Sequence, residues 1–164
     1  MKEQSLKELL FKMADDLLIL GHRNSEWIGL GPILEEDIAF ASMAQDKVGQ
    51  SLALYQILES LGEAEPDEIA FQRPENLFRN SIFVELPIGE YDFSLVRHFL
   101  FDSADYLRFE QLKKSSYEPL AQLASKYLGE NRYHIMHANM WIKRLGSGTT
   151  ESKRRIQESL EFAM

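Results

Sequence analysis

The 164-residue chain contains no cysteine. That excludes disulfides, thiolate metal sites, iron–sulfur clusters and Cys nucleophiles together. Histidine is scarce, at four residues, so any metal would have to be held by carboxylates and those few imidazoles. No apolar run approaches the roughly 20 residues that span a bilayer. Met1-Lys2-Glu3-Gln4 leads into an amphipathic pattern rather than the apolar core of a secretory signal. Both absences point to the cytoplasm and away from a membrane. Positive charge is also in deficit: 18 Lys and Arg face 26 Asp and Glu, a net charge of −8. An acidic surface repels phosphate backbones, which argues against nucleic acid as a partner. What the chain does have is 45% hydrophobic residues, enough for one domain with a real core.

Those residues recur at helical spacing in five segments. The first, about 5–23, carries Leu6, Leu10, Met13, Leu17 and Leu20 on one stripe, with Ser5 and Glu8 spaced as a capping box. The second, about 33–61, has two stripes. One is Ala41, Ala44, Val48, Leu52, Tyr55 and Leu58. The other is Met43, Leu54, Ile57 and Leu61, with Asp46 and Gln50 inside it. A helix apolar on two sides is expected to be buried on two sides, and Gly62 supplies its stop. Residues 63–91 are punctuated by Pro66, Pro74, Pro87 and Gly89 and read as a crossover, with room for a short helix over 66–71. The third long helix is expected over 92–114, with Leu95, Phe99, Tyr106 and Phe109 around Asp102. The fourth, over 118–145, aligns Leu123, Tyr127, Glu130, His134, His137, Trp141 and Leu145. A fifth helix starts near Thr149 or Thr150 and shows no stop signal by Met164. Two long helices, a crossover and two more make an all-α, ferritin-like four-helix bundle with an extra C-terminal helix. The whole of 1–164 reads as a single such domain.

Burying a carboxylate costs several kcal/mol unless it is paired or ligated, so polar residues on apolar stripes need a reason. They fall near mid-helix on all four long helices: Asp16, Asp46 with Gln50, Asp102 with Asp105 nearby, and Glu130 with His134 and His137. A ferritin-like di-iron site takes a carboxylate from each of two helices and Glu-x-x-His from each of the others. The matching tetrads here are Asp46-Lys47-Val48-Gly49 and Glu130-Asn131-Arg132-Tyr133. Gly49 cannot ligate, and Tyr133 stands where His is needed. The pattern thus reads as the vestige of a metal site, Asp16, Asp46, Asp102, Glu130, His134 and His137 forming a buried polar network. An unusual metal site on the same residues is the alternative. His22 and His98 are expected at a surface or interface. Gly146-Ser147-Gly148 is a helix stop rather than a nucleophile elbow, and Gly29-Leu30-Gly31 lacks the strand of a dinucleotide fold.

Several stretches resemble a known family. They are Leu20-Gly21-His22-Arg23-Asn24-Ser25-Glu26-Trp27, Pro32-x-Leu34-Glu35-x-Asp37-Ile38-Ala39, Asp46-x-x-Gly49-Gln50, Val84-Glu85-x-Pro87-x-Gly89, Arg97-x-Phe99-x-Phe101-Asp102, Arg132-Tyr133-His134 and Trp141-x-x-Arg144-Leu145-Gly146-x-Gly148-Thr149. In order and spacing, from about 15 to 155, they are similar to the C subunits of bacterial phenylacetyl-CoA epoxidase. Members of that family run well beyond this length, so the chain is expected to match their N-terminal two-thirds.

The resemblance implies a ferritin-like fold and a non-catalytic subunit of a multicomponent di-iron oxygenase. Such a subunit binds no cofactor, supports a catalytic A-type subunit that holds the di-iron centre, and assembles with the other subunits of the complex. The competing readings are a carboxylate/His metal-dependent oxidoreductase in its own right and a helical scaffold or storage protein. A second helix apolar on both sides suggests a homo-oligomer when the chain is isolated. If the complex handles CoA thioesters, Leu77, Phe78, Arg79 and Asn80 in the crossover are the candidate acyl-CoA contacts. Arg and backbone amides suit phosphates, and an aromatic suits adenine. The alternative for this segment is a structural crossover whose Arg residues pair with nearby Glu.

Overall fold

A computed structural model describes residues 3–164. All regular elements among them are helical: α1 (Glu3–Ser25), α2 (Leu34–Ser60), α3 (Pro66–Phe71), a 3-10 turn (Glu75–Leu77), α4 (Ile82–Glu85), α5 (Tyr91–Leu112), α6 (Glu118–Gly146) and α7 (Thr150–Ala163). The element order, two long helices, a crossover, two more long helices and a C-terminal helix, is the one expected from the periodicity and is consistent with a ferritin-like helical bundle. Two differences are local. Helix α1 already includes Glu3, so Ser5 lies inside it rather than capping it, and the crossover holds α4 and the 3-10 turn besides α3. No helix among the described residues is long and apolar enough to cross a membrane.

The elements group into two compact units. One runs to Pro87 and takes in Ser116–Leu120; the other comprises Ile88–Ser115 and Ala121–Met164.

In the first unit α1 and α2 form an antiparallel hairpin. Leu6, Leu10, Met13, Leu17 and Leu20 of α1 are buried, as are Phe40, Met43, Leu54 and Leu58 of α2. The other side of α2, expected to be buried as well, is exposed at Leu34, Ile38, Val48 and Leu52. The helices close tightly at Gly21, where a Cβ would sit 2.8 Å from Val48 Cγ2 and 3.3 Å from the Ala44 carbonyl. Ser51 Oγ donates to the Ala14 carbonyl at 2.8 Å. At the connecting turn Trp27 is buried against Phe40, and the Gly31 amide donates to Asp37 Oδ1 at 2.7 Å. Helix α2 ends as the sequence indicates. Gly62 takes φ +90, while the Gly62 and Glu63 amides donate to the Glu59 and Leu58 carbonyls, a Schellman closure that needs a left-handed residue at that point.

The crossover is fastened to α1 by two successive carboxylates. Asp15 is fully buried. It accepts from Tyr55 Oη at 2.6 Å, from Arg73 at 2.5 Å and from the Arg79 amide at 2.7 Å. Asp16 accepts from the Ser81 amide at 2.6 Å. Arg73 also donates to the Ile69 carbonyl, and its guanidinium lies 4.3 Å from the Phe78 ring centroid and 5.1 Å from that of Phe11. Burial, and then the negative Asp15 beside it, hold the Tyr55 phenol well above its ordinary pKa, so it remains a hydrogen-bond donor.

In the second unit α5 and α6 run antiparallel. Tyr91 meets Trp141, His98 meets His134 and Phe109 meets Tyr127. Helix α7, N-capped by the Thr149 hydroxyl, packs against the start of α5. Ser159 Oγ and Arg155 donate to the two oxygens of Asp92 at 2.6 and 2.5 Å, and Phe162 meets Phe93 edge-on.

The fastening of the crossover can be tested directly. Arg73→Met leaves Asp15 buried without its cation, and should lower the unfolding free energy by roughly 3–5 kcal/mol. Asp15→Asn should cost less, because Arg73 keeps a route to solvent through its partly exposed side chain. Urea unfolding of both variants measures the order, and equal losses would contradict it.

Candidate functional site

On two helices the fully buried polar residues include one that the expected stripes do not contain, Lys47 on α2 and Asn131 on α6. On α2 the completely buried pair is Lys47 and Gln50, while Asp46 is half-buried and Gly49 is exposed. On α6 it is Asn131 and His134, with Glu130 half-buried and Tyr133 exposed. Each pair has i, i+3 spacing, so both side chains of a pair lie on one face. The four-three alternation is present in the sequence. Met43, Lys47, Gln50, Leu54 and Ile57 form one buried seam, and Leu120, Ala124, Tyr127, Asn131, His134 and Ala138 the other. Asp46 and Glu130, the carboxylates of the expected tetrads, lie one residue from these seams and are half-buried, while Gln50 and His134, expected beside them, lie in the seams and are fully buried.

In the second unit the polar centre is Asp102, fully buried. His98 Nδ1 lies 2.7 Å from Asp102 Oδ2, and His134 Nδ1 lies 3.7 Å from Asp102 Oδ1. A carboxylate only accepts, so the facing His98 nitrogen carries the proton. The two imidazole rings are 6.2 Å apart and nearly perpendicular. His98 is therefore a core residue and not the surface or interface residue expected from its neighbour Arg97, which is itself buried with its guanidinium 5.4 Å from the Phe93 ring centroid. One turn on, Asp105 accepts from Arg108 at 3.1 Å and from Asn131 at 3.4 Å. His137 is buried as expected, and His22 is exposed, stacked on Phe71.

In the first unit Asp16 is buried as expected, but its identified partner is the crossover backbone. Asp15 and Arg73, which sequence reading does not single out, carry most of the polar contacts there. Among the described residues no three His, Asp or Glu side chains form a group that could hold a metal ion. Helix by helix, the donors do not fit a di-iron centre. An amine and an amide, Lys47 and Gln50, stand on α2 where the motif needs a carboxylate and an imidazole, and α6 offers an amide with its His. A lysine ammonium also repels a cation.

The crossover contacts proposed for a ligand are divided. Leu77 and Arg79 line a groove of about 670 Å³ with Lys7, Phe11 and Lys12. Phe78 and Asn80 line a smaller one of about 310 Å³ with Ile19 and Glu85. Phe78 is engaged by Arg73, and Asn80 donates to Glu85 Oε1 at 2.9 Å. Arg73 pairs with Asp15 of α1 rather than with a nearby Glu.

Comparison with known proteins places these features. The chain matches the family described as "phenylacetic acid catabolic protein" over residues 1–164. It is 34% identical over 150 residues to the C subunit of 1,2-phenylacetyl-CoA epoxidase from Escherichia coli (strain K12), covering 91% of this chain and 60% of that protein. It is 25% identical over 134 residues to the A subunit of the same epoxidase from the same organism, covering 82% of this chain and 43% of that protein. The chain thus spans about three-fifths of the length of the first relative and less of the second.

The revised register has a measurable consequence. Asp102→Ala, which removes the acceptor of the buried His98 imidazole and the carboxyl oxygen 3.7 Å from His134 Nδ1, should cost roughly 3–5 kcal/mol. Glu130→Gln and Asp46→Asn, at half-buried positions, should each cost about 1 kcal/mol or less. Thermal unfolding of the three variants checks the contrast.

Proposed function

The chain belongs to the phenylacetic acid catabolic protein family, and from that premise we propose that it is a non-catalytic subunit of a phenylacetyl-CoA oxygenase complex in phenylacetate catabolism. In this reading it binds no metal, supports a catalytic A-type subunit that holds the di-iron centre, and works in the cytoplasm beside the other subunits. The observation that carries it is Lys47, fully buried on α2 at the first position of the i, i+3 pair where an active ferritin-like subunit presents a carboxylate. Gln50 and Asn131, amides at buried positions on α2 and α6, support it, as does Asp15, a buried carboxylate engaged by Arg73 in holding the crossover. The residues of the chain act by position. Asp102 orients His98, and Asp15 and Asp16 shape the crossover that would face an acyl-CoA through Leu77, Phe78, Arg79 and Asn80. The division of those four between two grooves favours Arg79 as the residue that meets phosphate, since Lys7 and Lys12 of the same groove are already paired with Glu63 and Glu8.

Two measurements test this. Protein from iron-supplemented expression should contain far less than one iron per chain and should co-purify with an A-type subunit of the family; about two irons per chain would instead establish an active carboxylate/His metal enzyme. In the assembled complex, Arg79→Ala should weaken acyl-CoA binding by about tenfold, the usual worth of one charge-assisted phosphate contact. Unchanged affinity would remove the crossover from the substrate path and leave the scaffold role standing.

A further inference from the structure

The groove of about 670 Å³ between the start of α1 and the crossover has the volume of a small-ligand site. Lys7, Glu8, Phe11 and Lys12 share one face of α1, at spacings of three and four, and supply one wall. Leu77 and Arg79 belong to the other. The Arg79 amide is anchored on buried Asp15 at 2.7 Å, which fixes the root of its side chain. Its guanidinium is exposed and makes no hydrogen bond or ion pair among the described residues. Glu8 pairs with Lys12 at 3.0 Å, both side chains being more than half exposed. The Lys12 ammonium, and more weakly the Arg79 guanidinium, hold the Glu8 carboxyl below the usual carboxylate range. One carboxylate therefore lies in the field of cations from both walls. Half-buried Phe11 and exposed Leu77 leave apolar surface in the same groove.

We propose that the groove binds a nucleoside phosphate, its phosphate between Arg79 and Lys12 and its ring against Phe11 and Leu77, and that Glu8 is the internal anion which this phosphate displaces. That the nucleoside is the adenosine end of a CoA thioester rests on the acyl-CoA reading above; the displacement is carried by the groove. A phosphate monoester brings close to two negative charges where Glu8 brings one, and its oxygens match the planar fork of an arginine. The exchange costs little, because an exposed ion pair such as Glu8–Lys12 contributes little stability. Lys7 takes no part. Its side chain is only 16% exposed and held by Glu63 at 2.9 Å. A ligand carrying a single carboxylate gains nothing over Glu8, so the internal anion makes the groove selective for phosphate.

Calorimetric titration of the full chain with adenosine 3′,5′-bisphosphate tests this. Wild type should bind it, more weakly as salt is raised, and should bind unphosphorylated adenosine at least about tenfold more weakly. Arg79→Ala should weaken the bisphosphate about tenfold. Glu8→Gln, which keeps the size and removes the competing charge, should tighten it about fivefold, an effect that a merely structural Glu8 would not produce. No binding by either wild type or Glu8→Gln, indifference to Arg79→Ala, or a Glu8→Gln variant no tighter than wild type would each overturn the proposal. Inorganic phosphate that competes at the same concentration as the bisphosphate would overturn the part given to the ring. The assembled complex separates the two readings. Acyl-CoA affinity lowered by Arg79→Ala but not raised by Glu8→Gln would sink the displacement and leave the acyl-CoA reading. The bisphosphate results as expected, with acyl-CoA affinity of the complex indifferent to both substitutions, would uphold the groove as a nucleotide site and sink the acyl-CoA reading.

Discussion

A fully buried carboxylate on α1, Asp15, is tolerable only because three donors converge on it, and each comes from a different place in the chain. Tyr55 belongs to α2, Arg73 follows α3, and the Arg79 amide belongs to the backbone beyond the 3-10 turn. Removing a charge from water is costly, and the compensation requires all three donors at hydrogen-bonding distance. That requirement dictates the path of a connection with too few apolar residues to hold itself in place. The neighbouring Asp16 repeats the device on the Ser81 amide. The crossover is therefore ordered by electrostatics on a hydrophobic hairpin, and the two grooves along it exist because Arg73 is drawn inward between Phe11 and Phe78.

The sequence made the long helices legible because their apolar residues recur at helical spacing and their ends carry ordinary signals such as Gly62 and Thr149. It made the crossover legible as a crossover, including the helix over 66–71. It hid the true buried face, because side-chain type and position disagree there. Lys47 and Asn131 are residue types that normally face water, and Asp46 and Glu130 each sit one residue from the seam, close enough to resemble part of it. Periodicity alone would have ranked Lys47 and Gln50 above Asp46 and Gly49. Asp15 and Arg73 were hidden for another reason. Their pairing spans 58 residues, and no local spacing rule connects them.

The same conflict between type and position explains the two characters of α2. Its inner seam places Lys47 and Gln50 among Met43, Leu54 and Ile57, polar groups in a dry setting that demand fixed partners. Its outer flank has the converse arrangement, with aliphatic groups left in water. A helix built this way is stabilised by what it buries on one side alone.

Gly21 connects those two sides. Because it has no side chain, α1 approaches α2 until Val48 and the Ala44 carbonyl fill the space where a Cβ would be. Val48 is thus held from behind by the hairpin while its outer surface contributes to the open flank. The separation of the hairpin helices and the contour of the outer surface become one geometric variable. A chain that drifted to a bulkier residue at 21 would reshape its own exterior without a substitution on it, so natural variation at this interior glycine would be expected to travel with variation at Val48 and its neighbours.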